Sequence, residues 1–163
     1  MTGYRIGWAI GNKNLIEVMT NVQSHQTSGP PTISQKAAIG AINGVQSSVE
    51  NLREALENRR NIMVDLLNSF DGLKVTKPDG TFYCLVDFSH YNPNSKELAE
   101  LLLDKVQVIT VPGIEFGLDG YLRLSFCGGV NDIREGIERI QWILDPDAPN
   151  ELYIGERKLV RDW

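Results

Sequence analysis

The sequence is poor in the residue types that build several common classes of functional site. Its two cysteines and two histidines indicate neither a disulfide framework nor a metal site. Lys and Arg number 16 against 21 Asp and Glu, a net charge of −5, so no nucleic-acid partner is expected. The longest apolar runs, as at 82–86, cover about five residues, whereas a membrane-spanning helix needs about 20. We therefore expect a soluble, cytoplasmic protein without a membrane partner, in which Cys84 and Cys127 are reduced thiols buried in apolar strands.

What the chain does contain is a regular apolar pattern, with hydrophobic residues making up 42% of the sequence. Alternation of side-chain types predicts strands at 5–11, 73–77, 81–88, 106–111 and 120–126. Apolar spacing of three and four predicts helices near 15–22, 30–44, 47–70, 98–102 and 131–144. Their predicted N-terminal capping residues include Asn12, Ser47, Asn94 and Asn131. The fold class is therefore α/β.

The distribution of these elements predicts three parts. The strand at 5–11 lies about 60 residues from the next predicted strand, so its sheet is expected to come from outside the chain. We interpret 1–46 as the end of an incomplete domain and 47–144 as a compact unit with a long helix and a small sheet covered by helices. The tail at 145–163 shows no clear period, and is expected to be a strap or disordered.

Two arginines stand out as candidates for binding an anion. Arg5 lies beside Gly3 and Gly7, where a ligand could approach the backbone closely. Arg123 shares one face of its predicted strand with Tyr121 and Ser125, a setting suited to a carboxylate. For both, a solvated arginine on a strand is the alternative interpretation. The two histidines lie in loops with no nucleophile or orienting acid arranged around them, which favours surface roles.

The order of local sequences carries the interpretation further. Five segments resemble, in order and with similar spacing, the class I/II pyridoxal-phosphate-dependent aminotransferases of the aspartate aminotransferase type. They are MTGYRIGWAIG at 1–11, QTSGPPTISQKAA at 26–38, DGTFYCLVD at 79–87, VPGIEFG at 111–117 and GYLRLSF at 120–126. The resemblance covers about residues 1–144 and implies the C-terminal part of a fold type I enzyme: the end of the large domain, a long connecting helix and an α+β small domain.

The resemblance also implies roles for the two arginines. By position, Arg5 would bind the phosphate of pyridoxal 5'-phosphate, and Arg123 the α-carboxylate of the substrate. The family's Schiff-base lysine lies a few residues before the first of these segments and would precede Met1. We therefore expect no catalytic residue in this chain, no covalently bound cofactor and no activity of the chain alone.

The implied parent enzyme moves an amino group between an amino acid and a 2-oxo acid, and is expected to be a homodimer. A C–S lyase or a decarboxylase on the same fold remains open at this point. The alternative from a different functional class is a non-catalytic binding or interaction module that reuses the small-domain fold.

Overall fold

The computed structural model describes residues 1–161, with every side chain except that of Lys74. The chain divides into two compact units, Met1–Asn51 and Leu52–Trp163. Within the described residues, none of the helices combines the length and the apolar character needed to cross a bilayer.

The first unit is helical. A short 3₁₀ turn at Thr2–Tyr4 precedes helix α1 (Lys13–Gln26) and helix α2 (Thr32–Asn43). The predicted cap of α1 is confirmed, because the Asn12 side chain accepts a 2.9 Å hydrogen bond from the backbone N–H of Asn14. Helix α3 (Ser47–Asn68) begins in this unit and continues into the second.

The predicted strand at 5–11 is not formed. These residues have no regular secondary structure, and Arg5 adopts a left-handed backbone conformation with φ of 50°. A strand is stabilised by hydrogen bonds to a neighbouring strand, and no strand is assigned within Met1–Asn51. The alternation of bulky and small side chains is therefore insufficient to make this segment a strand in this chain.

The second unit is an antiparallel sheet packed against helices, as the predicted α+β class requires. It contains β1 (Lys74–Val75), β2 (Tyr83–Asp87), α4 (Ser95–Val106), β3 (Val111–Pro112), β4 (Tyr121–Ser125) and α5 (Val130–Leu144). The sheet order is β1-β2-β4-β3 with every neighbouring pair antiparallel. Strand β4 therefore lies between β2 and β3, and it is one of the two strands with a neighbour on each side.

The hydrophobic core lies on one face of this sheet. Alternate residues of β2 and β4 point into it, and the C-terminal half of α3 together with α4 and α5 covers it. The fully buried large side chains include Leu67, Val86, Phe88, Leu98, Leu102, Leu122, Phe126 and Ile140. The opposite face of β2 and β4 carries half-buried and exposed residues, which is where polar groups remain accessible.

Several predicted boundaries are corrected by the structure. Helix α3 begins at Ser47, so the carbonyl of Gln46, one residue earlier than the predicted cap, accepts the first N–H groups. Helix α5 begins at Val130, and the cap is Gly129, whose N–H donates to the Asp132 carboxylate at 3.0 Å, rather than Asn131.

The predicted strand at 106–111 is largely wrong. Val106 is the last residue of α4, and only Val111 and Pro112 pair with β4. The carbonyl of Val106 accepts a 3.0 Å hydrogen bond from the buried guanidinium of Arg139, which secures the helix end. Gln107 then adopts the left-handed conformation that ends the helix, with φ of 56°, and 107–110 have no regular secondary structure.

The tail contains a β-hairpin of β5 (Glu151–Ile154) and β6 (Arg157–Val160). Its two-residue turn places Gly155 at φ of 59°, a conformation that suits glycine. Leu152 and Leu159 pack against the core. The described part of the tail is therefore ordered, and the rest of that segment, 162–163, lies outside the described residues.

Candidate functional site

Arg123 occupies the middle of the accessible face of β4. It lies opposite Leu85 of β2 and Val111 of β3. Its neighbours in sequence, Leu122 and Leu124, are buried in the core, whereas Arg123 itself is half-buried on the other face. The strand alternation that singled out this residue in the sequence is thus confirmed.

Two aromatic rings contact the Arg123 guanidinium. Its Cζ atom lies 4.2 Å from the centroid of the Tyr83 ring and 4.9 Å from that of the Phe116 ring. Tyr83 belongs to β2, opposite Ser125, and Phe116 lies in the 3₁₀ turn that follows β3. The rings therefore come from elements on the two flanks of β4. Sequence analysis assigned no role to Phe116, although the aromatic residue of VPGIEFG was a usable signal.

The N–H groups of Arg123 are available to a ligand. A guanidinium carries five N–H donors, and no hydrogen-bond acceptor or ion-pair partner for this one is found among residues 1–161. By contrast, Arg139 donates to the carbonyl of Val106, and Arg161 donates to the carbonyl of Ala148. Arg123 thus has the geometry and the free donors for a bidentate carboxylate.

The turn that carries Phe116 is fastened to the start of α4. Ser95 is fully buried; its backbone N–H and its hydroxyl donate to the same Asp119 oxygen at 2.8 and 2.7 Å, and its Oγ accepts from the Ile114 N–H at 3.2 Å. The Gly120 N–H donates to that Asp119 oxygen as well, at 3.0 Å. The hydroxyl and N–H groups of Ser95, then the N–H of Gly120, hold the pKa of the Asp119 carboxyl below its usual value.

Arg5 lies in the first unit, beside a cleft of about 770 Å³ whose lining includes Thr27 and Ser28. Its guanidinium is exposed and donates a 3.1 Å hydrogen bond to the carbonyl of Thr2. No acidic side chain is among the described residues lining this cleft. A guanidinium with nearby hydroxyls and no competing carboxylate is a donor set that fits a phosphate dianion. Arg5 belongs to the unit Met1–Asn51 and Arg123 to the unit Leu52–Trp163.

The two histidines and the two cysteines add no catalytic candidate at Arg5 or Arg123. His25 and His90 are both exposed. Cys84 is buried as predicted, and burial raises the pKa of its thiol to about 11. Cys127 is exposed, so the prediction of a buried thiol there is wrong: β4 ends at Ser125, and Cys127 continues the accessible side of the strand.

Comparison with known proteins places this geometry in a family. Residues 1–140 match the family described as aminotransferase class I and II. The aspartate aminotransferase of Bacillus sp. (strain YM-2) is 44% identical over 145 residues, covering 86% of this chain and 37% of that protein. The probable aspartate/prephenate aminotransferase of Rickettsia conorii is 37% identical over 155 residues, covering 89% and 39%.

Solved structures agree with the sequence relatives. An aspartate aminotransferase from Thermus thermophilus with maleate superposes with a TM-score of 0.79 at 39% identity, covering 85% of this chain and 37% of that one. An aromatic aminotransferase from Pyrococcus horikoshii OT3 gives a TM-score of 0.82 at 32% identity, covering 88% and 39%. The chain belongs to the class I and II aminotransferase family, and the predicted fold is confirmed. It spans 37% to 39% of the length of these relatives.

Proposed function

We propose that this chain is the C-terminal portion of a pyridoxal-phosphate-dependent aminotransferase that moves an amino group between an amino acid and a 2-oxo acid. The family match and the names of the relatives support the reaction class. The observation that carries the proposal is the Arg123 guanidinium, half-buried between two rings with no acceptor among residues 1–161. We also propose that the parent enzyme is located in the cytoplasm and is a homodimer. Sedimentation of that enzyme would test the dimer.

Arg123 would act by binding the α-carboxylate of the substrate. Two parallel N–H···O bonds from one planar guanidinium fix both the position and the rotation of a carboxylate. This restricts the orientation of the adjoining Cα, which lowers the entropic part of the barrier. Because the amino acid and the 2-oxo acid carry the same carboxylate, one residue would serve both directions of the reaction.

Arg5 would hold the cofactor by its phosphate. The guanidinium supplies charge-assisted donors, and the hydroxyls of Thr27 and Ser28 line the same cleft. Pyridoxal phosphate, when bound, supplies an electron-accepting ring that stabilises negative charge at the substrate Cα. Arg5 would then act as an anchor and take no part in proton transfer.

The proposal includes the inactivity of the chain alone. None of its lysines matches the Schiff-base position of the family, so purified chain mixed with pyridoxal phosphate should give no borohydride-stable adduct at one specific lysine. Mass spectrometry after reduction checks this, and scattered surface adducts are the expected background. A single fully occupied lysine would contradict the assignment.

Substitution of Arg123 tests its assigned role in the enzyme that includes the cofactor-binding part. Arg123→Lys keeps the charge and loses the planar fork, so kcat/KM should fall about ten- to a hundredfold for the amino acid and for the 2-oxo acid alike. Retention of pyridoxal phosphate should be unchanged, whereas Arg5→Lys should weaken it. Intact turnover together with release of the cofactor from Arg123→Lys would show that the two roles are assigned wrongly.

The alternative is a non-catalytic binding or interaction module that reuses the small-domain fold. The genomic sequence upstream of Met1 separates the two. An open reading frame in register that encodes a cofactor domain ending in Ser-Lys supports the aminotransferase. A stop codon and a promoter at that place support the module.

A further inference from the structure

We propose that Tyr83 and Phe116 are positioning residues, which hold the guanidinium of Arg123 in the orientation that receives a carboxylate. This inference rests on the carboxylate-binding role proposed for Arg123. Neither ring is required to touch the substrate. Their action is on the arginine, before the ligand arrives.

The distances support a direct attraction. Cation–π contacts act up to about 6 Å between a cation and a ring centroid, and Arg123 has two of them, at 4.2 and 4.9 Å. An arginine on an accessible strand face otherwise samples many rotamers, and ordering it on ligand binding opposes affinity. Tyr83 and Phe116 reduce that freedom in advance.

The ring contacts do not compete with the ligand for hydrogen bonds. The attraction to a ring is to its π electrons, whereas a carboxylate accepts from the N–H groups at the guanidinium edge. Those groups have no acceptor among the described residues, so one guanidinium can keep its ring contacts and donate two parallel bonds.

The backbone of the turn that carries Phe116 is held in place, while the Phe116 side chain itself is 47% exposed. The Ile114 N–H, two residues before Phe116, donates to the buried Ser95 hydroxyl, which in turn donates to Asp119. This network is complete without any ligand. The fold therefore fixes the backbone position from which Phe116 reaches the Arg123 guanidinium.

Nuclear magnetic resonance of the arginine side chains in the full 163-residue chain tests the proposal. The N–H signals of Arg123, assigned with Arg123→Lys, should show an upfield ring-current shift. Tyr83→Leu and Phe116→Leu should each reduce that shift and weaken the binding of acetate, used as the carboxylate probe, about three- to tenfold. Tyr83→Phe should keep both, because it keeps the ring. Tyr153→Leu removes a ring from another cation–π pair, with Lys158 at 5.7 Å in the hairpin, and should change neither.

The outcomes separate this inference from the function on which it rests. If the Arg123 N–H signals are unchanged in both Tyr83→Leu and Phe116→Leu, the positioning role is wrong. It is also wrong if the ring-current shift is lost in these variants while their affinity for acetate stays within twofold of wild type. If Arg123→Gln binds acetate as the wild-type chain does, the carboxylate-binding role of Arg123 is wrong, whatever the rings do. Thermal unfolding of each variant shows that the comparison is made between folded chains.

Discussion

The two units of the chain share the same kinds of helical pattern and differ in what the pattern buries. In Met1–Asn51 only Ser34 and Ala38 are buried, and apolar residues on α1 and α2 such as Leu15 and Ile33 are exposed. In Leu52–Trp163 the apolar residues of α4, α5 and the sheet form a contiguous core. Periodicity therefore predicts a helix in both units, but it predicts the stability of neither.

Helix α3 shows the same contrast within one element. Val49 and Leu52 near its start are exposed, whereas Met63 and Leu67 near its end are buried against the sheet. The apolar spacing of three and four occurs in both halves of the helix, with Arg59 interrupting it between Leu56 and Met63. What changes is the presence of neighbouring elements to pack against, and burial rather than helix propensity supplies most helical stability in proteins.

The largest expected difference between the units is in hydrogen exchange. Amides of α1, a helix without a buried residue, should exchange at least about a thousandfold faster than those of α4. Opening α1 costs little free energy because it brings no buried apolar side chain into contact with water. Exchange at the backbone amides, followed by mass spectrometry on the whole chain, measures both helices in one sample. Slow exchange across 13–26 would show that the apolar side of α1 is packed in solution, and would contradict the expected difference in stability between the two units.

A matched pair of leucines, one from each unit, measures the difference between the units as a free energy of unfolding. Leu102 is 0% exposed and Leu15 is 57% exposed. Leu102→Ala should lower the free energy of unfolding by about 2–5 kcal/mol, and Leu15→Ala by less than about 0.5 kcal/mol. Urea denaturation of the two variants gives both values. Equal losses would mean that Leu15 is packed in solution.

The tail provides a third test, of how far the stable unit extends. Arg161 donates to the carbonyls of Trp142, Asp145 and Ala148, at and beyond the end of α5, and stacks on the Trp142 ring at 5.2 Å. Arg161→Ala should cost about 1–3 kcal/mol, since the carbonyls lose a charged donor. Arg157→Ala, an exposed arginine on the same hairpin, should stay within about 0.5 kcal/mol of wild type in the same urea titration.

The smallest expected effect is a dependence on pH within the second unit. The pKa of Asp119 is lowered chiefly by its hydrogen bonds from Ser95. A carboxyl with a lowered folded-state pKa contributes stability above its unfolded pKa of about 3.9, and that contribution is lost as the pH falls through the folded value. Asp119→Asn should therefore flatten the acid side of the stability curve. Identical curves for wild type and Asp119→Asn would contradict the network at Ser95.

Much of the second unit could be predicted from the sequence because its signals are local. Asn94 accepts hydrogen bonds from Lys96 and Glu97 at the start of α4, as the spacing indicated. The alternation in β4 placed Arg123 correctly on the accessible face. The roles of Arg5 and Arg123 stay predictions, and the structure adds the two rings, which come from distant positions that strand alternation cannot connect.

The errors share a physical cause, which is that strand formation depends on a partner. The segment at 5–11 has the alternation but no neighbouring strand. Of the segment at 106–111, Val106 ends α4, 107–110 have no regular structure and Val111 alone pairs with β4. The hairpin around Gly155 is the converse, since two short strands beside a tight turn supply each other's partner. Its signal was present in the sequence, as a glycine between two short runs that each contain one leucine, Leu152 and Leu159.

The contrast between the two cysteines makes the protein convenient to label. At pH 8 a thiol with a pKa of about 11 is ionised to about one part in a thousand, so buried Cys84 reacts slowly with alkylating reagents. Cys127 is exposed, and its Sγ accepts a 3.0 Å hydrogen bond from Ser125, two residues along the strand from Arg123. A maleimide fluorophore would thus attach at one natural position on the arginine-bearing side of β4, and would report on that face without any engineered cysteine.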